Sequence, residues 1–229
     1  MKTIYILLIF ASFGSLASAA TMLQSHNYAY IPNGSQTLTF NQFDTMGGTL
    51  TLNSVTITVT LSKTGGLHQV DNDSNETGTI SLTHIVQGNL TASVPLLRSN
   101  FSQIGGTGSL TATSAVVATT IGVTTGDPTP AFSTTYAGDY YEYIPSSALI
   151  SDTGVIGSPF QSAYEGTGTF TTTVHAIQTT TANGVGGLAQ AYGPSNVSGT
   201  VTITYDYVPE PSAALLGGLG FLIMLRRRR

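Results

Sequence analysis

An acidic turn in the first half of the chain has the residue spacing that comes nearest to a metal site. In "DNDSNETG" the oxygen-bearing side chains of Asp71, Asp73 and Asn75 stand at alternate positions, which is how a loop wraps a hard cation such as Ca²⁺. A complete EF-hand loop would also have Gly at its sixth position and Glu at its twelfth. This chain has Glu76 and Leu82 there, so the pattern favours a solvated turn and keeps calcium as the weaker alternative.

A tyrosine-rich stretch, "YAGDYYEYIP", is the second candidate site. Tyr140, Tyr141 and Tyr143 are interleaved with the carboxylates of Asp139 and Glu142, and exposed rings beside hydrogen-bond acceptors would suit the binding of sugar rings. Tyrosine is also a strong strand former, and its ring normally packs against a sheet. Carbohydrate binding at these three tyrosines is therefore the functional alternative to a structural role.

Catalytic chemistry has little support in the sequence. The four histidines show no H-x-H or H-E-x-x-H spacing for a metal, and the chain has no G-x-S-x-G elbow. There is no cysteine, which excludes thiol chemistry and disulfide bonds. His84 and His175 fall within strand patterns, where a structural role is more common. The sequence predicts a protein that is not an enzyme and has no cofactor beyond the weak calcium alternative.

The elements that carry these residues are predicted to be strands. In segment 49–61, Val55, Ile57 and Val59 alternate with threonines, which is the period of a half-buried strand. Similar patterns occur at 36–40, 77–86, 93–97, 108–123, 166–180 and 197–208. Clusters of Gly, Pro, Asn and Asp between them, such as "KTGG" (63–66), "NGVGG" (183–187) and "YGPSN" (192–196), predict turns. The fold class predicted is all-β, a single antiparallel β-sandwich that is jelly-roll-like or immunoglobulin-like.

The first 19 residues have the pattern of a secretory signal peptide. Lys2 precedes an apolar stretch at 4–13, and small residues follow at Ala17 and Ala19, as the A-x-A cleavage site requires. Cleavage after Ala19 fits best, with Ala20 as the near alternative. The predicted partners at this stage are the secretion translocon and signal peptidase.

The other terminal segment, 208–229, predicts a membrane-directed tail after a body at 20–207. It opens with Val208, Pro209, Glu210 and Pro211 and continues with an apolar run at 213–225. As a helix this run would cover about 20 Å, against a hydrocarbon core of about 30 Å. The stop-transfer residues that follow would lie in the cytoplasm by the positive-inside rule and leave the body outside; they are Arg226, Arg227, Arg228 and Arg229.

The triplet Pro209-Glu210-Pro211, the short apolar segment and the basic end together resemble a PEP-CTERM sorting signal. The resemblance implies that an exosortase recognises the motif and removes the tail after transient insertion into the inner membrane. It also implies a Gram-negative bacterium that makes extracellular polysaccharide. Segments 43–60, 164–176 and 198–212 are similar to the choice-of-anchor E type of domain, which implies an all-β extracellular module without an assigned activity.

The charge of the body excludes one class of partner. Between the predicted signal peptide and the four terminal arginines, the basic residues are Lys63 and Arg98 and eleven residues are acidic, a net charge of −9, so no basic patch exists to hold nucleic acid. The leading prediction is a structural or adhesive protein of the cell surface or extracellular matrix. The alternative is an extracellular polysaccharide-binding module stiffened by calcium.

Overall fold

The computed structural model of the chain describes residues 18–123, 132, 135 and 138–210. In this part of the chain ten strands account for nearly all of the regular structure, and residues Ser158–Tyr164 form a 3-10 helix. The strands are β1 (Ala20–Tyr30), β2 (Gly34–Asn41), β3 (Leu50–Asn72), β4 (Gly78–Ala92), β5 (Leu110–Thr113), β6 (Val117–Ile121), β7 (Tyr140–Tyr143), β8 (Ala148–Val155), β9 (Thr169–Asn183) and β10 (Leu188–Pro209).

The strands form two antiparallel sheets of five strands each. In the first sheet the order is β1, β10, β3. Both β7 and β8 pair with β3 on the side away from β10. In the second sheet the order is β2, β9, β4, and both β5 and β6 pair with β4. The all-β prediction is confirmed, and the two sheets are consistent with a β-sandwich.

The main core lies between the two sheets and follows from the two-residue period of the strands. On β3, Val55, Ile57 and Val59 are fully buried, and they share one hydrophobic cluster with Val86 and Leu90 of β4. The intervening threonines of β3 are only half-buried, because successive side chains of a strand point to opposite faces. Burial of this apolar face is the main favourable contribution to folding.

Strand β3 changes the set of residues that points inward partway along its length. On β3 the buried series of odd-numbered residues ends at Lys63, and the next buried residues are His68 and Val70. Between them Gly65 and Gly66 have φ values of +67° and +100°, which glycine adopts without a steric penalty. This irregularity separates the main core from a smaller cluster of Val70, Ile80, Leu82 and Ile121.

The predicted turns at 63–66 and 192–196 are both wrong. Both segments lie inside strands, β3 and β10, and face each other, with Gly65 opposite Ser195. Their turn-forming residues do not end either strand. The strand predicted at 93–97 is also absent, since only Leu97 makes an isolated bridge, to Gln103.

Side chains cover edge groups of both sheets. At β8 of the first sheet, the guanidinium group of Arg98 donates to the carboxylate of Asp152 and, at 3.2 Å, to the carbonyl oxygen of Thr153. At β2 of the second sheet, the backbone of Asn41 exchanges two hydrogen bonds, of 2.8 and 2.9 Å, with the Gln24 side chain of β1. Such contacts occupy edge groups that would otherwise pair with another chain.

The described part of the chain holds no helix with the length and hydropathy of a membrane span. The predicted apolar segment 213–225 and nearly all of the predicted signal peptide lie outside the described residues.

Candidate functional site

The two predicted processing points lie at the same end of the first sheet. Ala20, the first residue of β1, pairs with Tyr207 of β10. Val208 and Pro209 continue β10 and pair with β3 alone, opposite Thr51 and Leu50. Glu210 is held beyond them, because its N–H donates to Thr49 O at 2.8 Å and its carboxylate accepts from the Thr51 hydroxyl at 3.2 Å. The folded body therefore extends to the middle of the Pro-Glu-Pro triplet.

The remaining sorting and cleavage residues are only partly covered. Ala19 immediately precedes β1 and is exposed. Ala17, Pro211 and the four predicted stop-transfer arginines, Arg226 to Arg229, lie outside the described residues.

The acidic turn is organised by a residue that the sequence analysis did not single out. The Asn72 side chain accepts from the backbone N–H and hydroxyl of Ser74, and it donates to the carbonyl oxygens of Glu76 and Gly122 at 2.9 and 2.5 Å. Asp71 is fully buried on β3, and the Asp73 N–H donates to Gly187 O at 3.1 Å. The turn is thus ordered by its own hydrogen bonds.

A buried carboxylate lies beside this turn. The Asn72 N–H donates to Asp139 O at 2.9 Å. Asp139 is 1% exposed, and neither of its carboxylate oxygens has a hydrogen-bond partner among the described residues. Even so, the described residues contain no group of three His, Cys, Asp or Glu side chains placed to hold a metal ion. Calcium at Asp71, Asp73 and Asn75 stays a prediction.

The tyrosine stretch forms β7 and divides its side chains between two environments. Tyr141 and Tyr143 pack against the smaller cluster, and the Tyr143 hydroxyl donates to Ala115 O at 3.0 Å. Tyr140 instead donates to the Glu142 carboxylate at 2.7 Å, and it accepts from the Gln69 amide at 2.9 Å. Burial and the Glu142 carboxylate raise the pKa of Tyr140.

Two of the sequence-predicted candidates meet in space. Tyr140 is the strand partner of Asp71, so the tyrosine stretch and the acidic turn adjoin at one end of β3. Sugar binding at Tyr140, Tyr141 and Tyr143 stays a prediction. Of the hydroxyl groups, that of Tyr140 lies beside the Glu142 carboxylate and the Gln69 amide.

A set of polar side chains lies between the main core and the smaller cluster. We call Lys63, His84, Ser114 and Ser195 the buried polar layer; each is at most 1% exposed. Lys63 Nζ lies 3.3 Å from His84 Nδ1 and contacts Ser114 Oγ. His84 Nε2 lies 3.1 Å from Ser195 Oγ, and Ser114 donates to Ser146 O at 3.1 Å. The layer joins strands of both sheets.

The buried polar layer shifts the proton affinities of its members. Burial lowers the pKa of Lys63. The pKa of His84 is lowered to about 4, mainly by burial. The neighbouring Lys63 amine and His68 contribute to the same shift. A serine beside a lysine or a histidine is also an arrangement that activates nucleophiles. None of these four side chains reaches solvent, and their contacts link β3 and β10 of the first sheet to β4 of the second.

The buried polar layer was not predicted, although the sequence contains one signal for it. Lys63 continues the odd-numbered inward series of β3, in which the preceding members are apolar. A lysine at an inward position predicts a buried partner, because a buried amine without hydrogen bonds is strongly destabilising.

A groove opens where the edge strands stop. β10 pairs with β1 only from Val197 onward, and β9 pairs with β2 only as far as Ala176. Beyond these points both central strands lack a partner on that side among the described residues. A groove of about 450 Å³ lies there, which we call the lateral groove. Its walls are Pro32 and Asn33 of the β1–β2 loop, residues 178–180 of β9, and Tyr192 and Pro194 of β10.

Comparison with known proteins adds little to this description. No family model and no curated protein matches the chain. Among solved structures, the chain is similar to a chain from the structure of the Gx strain of infectious bursal disease virus, at 14% identity. The match covers 93% of this chain and 49% of that chain, with a TM-score of 0.22. T=1 particles derived from infectious bursal virus match at 12% identity, with 93% and 48% covered and a TM-score of 0.21. The chain spans about half the length of these chains, and the low TM-scores carry no argument about function.

Proposed function

We propose that this chain is an exported, non-enzymatic structural or adhesive protein of the bacterial cell surface and its extracellular polysaccharide matrix. Its tail is recognised and processed by an exosortase after transient insertion into the inner membrane. The observation that carries the proposal is the order of Pro209-Glu210-Pro211, the apolar segment 213–225 and four arginines. The proposed body is a single β-sandwich of the jelly-roll-like or immunoglobulin-like type. A signal peptide precedes it, and an apolar helix follows it.

The positions of the strand ends support this proposal. Ala20 and Tyr207 are direct partners on adjacent strands, and adjacent strands lie about 4.8 Å apart. A signal peptide that precedes β1 and a tail that follows β10 would therefore leave the body side by side. Before processing, the body would be attached to the membrane at one end of its first sheet.

A second candidate function is an extracellular polysaccharide-binding module, with calcium as an optional stiffening ligand. The uncharged lateral groove, with its exposed tyrosine, favours it. The two candidates share export and sorting but differ in whether the body has a saturable ligand.

The sorting proposal is tested by measuring the intact mass of the protein. The protein is produced in a Gram-negative host that has an exosortase. We expect a mass that lacks residues 1–19 and the residues after the Pro-Glu-Pro triplet, with any surplus identifying an attached anchor. A mass that retains residues 221–229 would show that the tail is an ordinary membrane anchor.

Two charge-neutralising variants make this experiment specific for the motif. Glu210→Gln and Asp206→Asn each remove one carboxylate that accepts a hydroxyl hydrogen bond, from Thr51 and Ser54 respectively. We expect Glu210→Gln to keep its tail and Asp206→Asn to be processed normally. Equal processing of both variants would count against recognition of the motif.

A further inference from the structure

We propose that the lateral groove binds a segment of a neutral polysaccharide, with a sugar ring stacked on Tyr192. This inference deepens the second candidate function and rests on it. The groove is distinct from the tyrosine stretch, because Tyr192 lies on β10 and the stretch pairs with the opposite edge of β3. Its volume of about 450 Å³ falls within the range of small-molecule sites, roughly 300–1,000 Å³.

The Tyr192 ring is exposed yet held in position. It is 62% exposed, and the buried His68 ring meets it edge-on, with 6.4 Å between ring centroids and an interplanar angle of 85°. His68 is itself fixed by Gln190, since Nε2 lies 3.2 Å from Gln190 Oε1. A large aromatic face offered to solvent from a braced position loses little conformational entropy on binding. Its apolar surface and hydroxyl group match the apolar face and polar rim of a sugar ring.

The polar groups of the groove are uncharged. Asn33 Oδ1 accepts from the Gln178 N–H at 3.3 Å, which leaves the Asn33 side-chain NH₂ group to donate to a ligand. The hydroxyl groups of Thr179 and Thr180 add groups that both donate and accept. With no basic side chain in its walls and a net charge of −9 over residues 20–225, the groove selects against an anionic polymer.

An added strand is a less suitable occupant, although strand edges border the groove. The Gln178 side chain accepts from the Ser195 N–H at 2.8 Å and donates to Gly193 O at 3.4 Å, so these groups of β10 are already paired. Pro194 between them has no N–H. Main-chain hydrogen bonds supply the affinity in strand addition, and here few of them remain to be formed.

The proposal is tested by measuring the binding of defined oligosaccharides. The protein is recovered from cells that express the full-length chain. The probes are four neutral hexasaccharides (maltohexaose, cellohexaose, mannohexaose and fully N-acetylated chitohexaose), and an alginate hexasaccharide is the anionic control. Amide chemical shifts followed by NMR report both affinity and location. We expect at least one neutral probe to bind with a dissociation constant of roughly 0.1–10 mM and to shift residues 33, 178–180 and 192, without binding of alginate.

Three variants decide whether the groove is the site. Tyr192→Ala removes the ring and should weaken binding at least about tenfold. Asn33→Asp keeps the acceptor for the Gln178 N–H but removes the NH₂ donor, and it should also weaken binding. Tyr140→Ala, on the other edge of the sheet, should bind as the unmodified protein does. Thermal melts establish that each variant is folded.

Other outcomes would overturn the proposal. Absence of binding by all four neutral probes would do so, as would loss of binding in Tyr140→Ala but not in Tyr192→Ala. A groove used by a strand of a second copy would appear as self-association that Tyr192→Ala abolishes. Each readout is made on purified protein and does not depend on tail processing, so failure here is distinguishable from failure of the sorting proposal.

Discussion

Lys63 and His84 lie side by side in the interior, with 3.3 Å between Nζ and Nδ1, and neither side chain reaches solvent. Among the residues that the structure describes, no salt bridge includes Lys63. The hydrogen bonds are mutually consistent when His84 carries its proton on Nε2: Lys63 donates to Nδ1, Nε2 donates to Ser195 Oγ, and Ser195 donates to Gly65 O. A neutral His84 is therefore the form that the fold requires.

The pair makes stability depend on pH. The pKa of His84 is lowered from 6.5 to about 4 in the folded state, so the unfolded chain binds the additional proton between these values. The free energy of unfolding should then fall as pH is lowered from about 6.5 to about 4, by about 3 kcal/mol in total. Burial lowers the pKa of His68 as well, and this adds a loss in the same direction.

Urea unfolding at a series of pH values measures this dependence. His84→Gln should show a shallower loss of stability between pH 6.5 and 4 than the unmodified protein. His175→Gln, which removes a half-buried histidine of β9, is the matched control and should keep the full slope. An unfolding free energy that is constant over this range in the unmodified protein would contradict the prediction.

A double-mutant cycle should show that Lys63 and His84 stabilise the fold as a pair. Lys63→Met leaves the His84 Nδ1 acceptor without its donor, and we expect a loss of about 1–3 kcal/mol. His84→Leu alone should likewise destabilise, because the Lys63 amine loses an acceptor. The double variant should lose less than the sum of the two, with a coupling energy of about 1–3 kcal/mol. Additive losses would show that the two groups act independently.

Gly199 is required because β10 passes against β3 at this point. A Cβ atom there would lie 2.0 Å from Thr60 O and 2.6 Å from the Tyr28 hydroxyl, and that hydroxyl donates to Thr60 O at 2.5 Å. Gly199→Ala should therefore lower the free energy of unfolding by at least about 2 kcal/mol. Gly186→Ala is the control, since its Cβ would meet no atom within 4 Å, and its effect should stay within about 0.5 kcal/mol. Similar values for the two variants would contradict the close approach.

Arg98 connects a loop to the edge strand β8. Arg98→Ala removes its contacts to the Asp152 carboxylate and to Thr153 O, and we expect a loss of about 1–3 kcal/mol. Size-exclusion chromatography should also show more self-association, because the edge of β8 becomes available for pairing. Arg98→Lys keeps the charge but cannot reach both acceptors in the same geometry, so it should rescue only part of the loss. A monomeric Arg98→Ala protein of unchanged stability would contradict this role.

The strand content could be predicted because alternation is a local property. The inward series Val55, Ile57 and Val59 specifies a strand with one buried face in any arrangement of sheets. Strand lengths could not be predicted in the same way. The segments 63–66 and 192–196 carry turn-forming residues, and each continues as a strand only because the other lies opposite it.

The candidate sites likewise divide into features that the sequence shows and features that depend on strand pairing. The acidic turn and Tyr140 were visible as motifs, but their adjacency depends on the pairing of β3 with β7. The lateral groove was not visible, because its walls come from the β1–β2 loop, β9 and β10 and depend on where two edge strands end.

The sequence by itself determined the β class, the acidic and cysteine-free character of the body, and the terminal segments on which the sorting proposal rests. These properties are carried by composition and by residues that are neighbours along the chain. The tertiary structure decided which polar residues are buried together and which edges remain open. Lys63, His84, Ser114 and Ser195 are brought within contact distance only when both sheets are assembled, since long-range pairing alone determines which side chains share the interior.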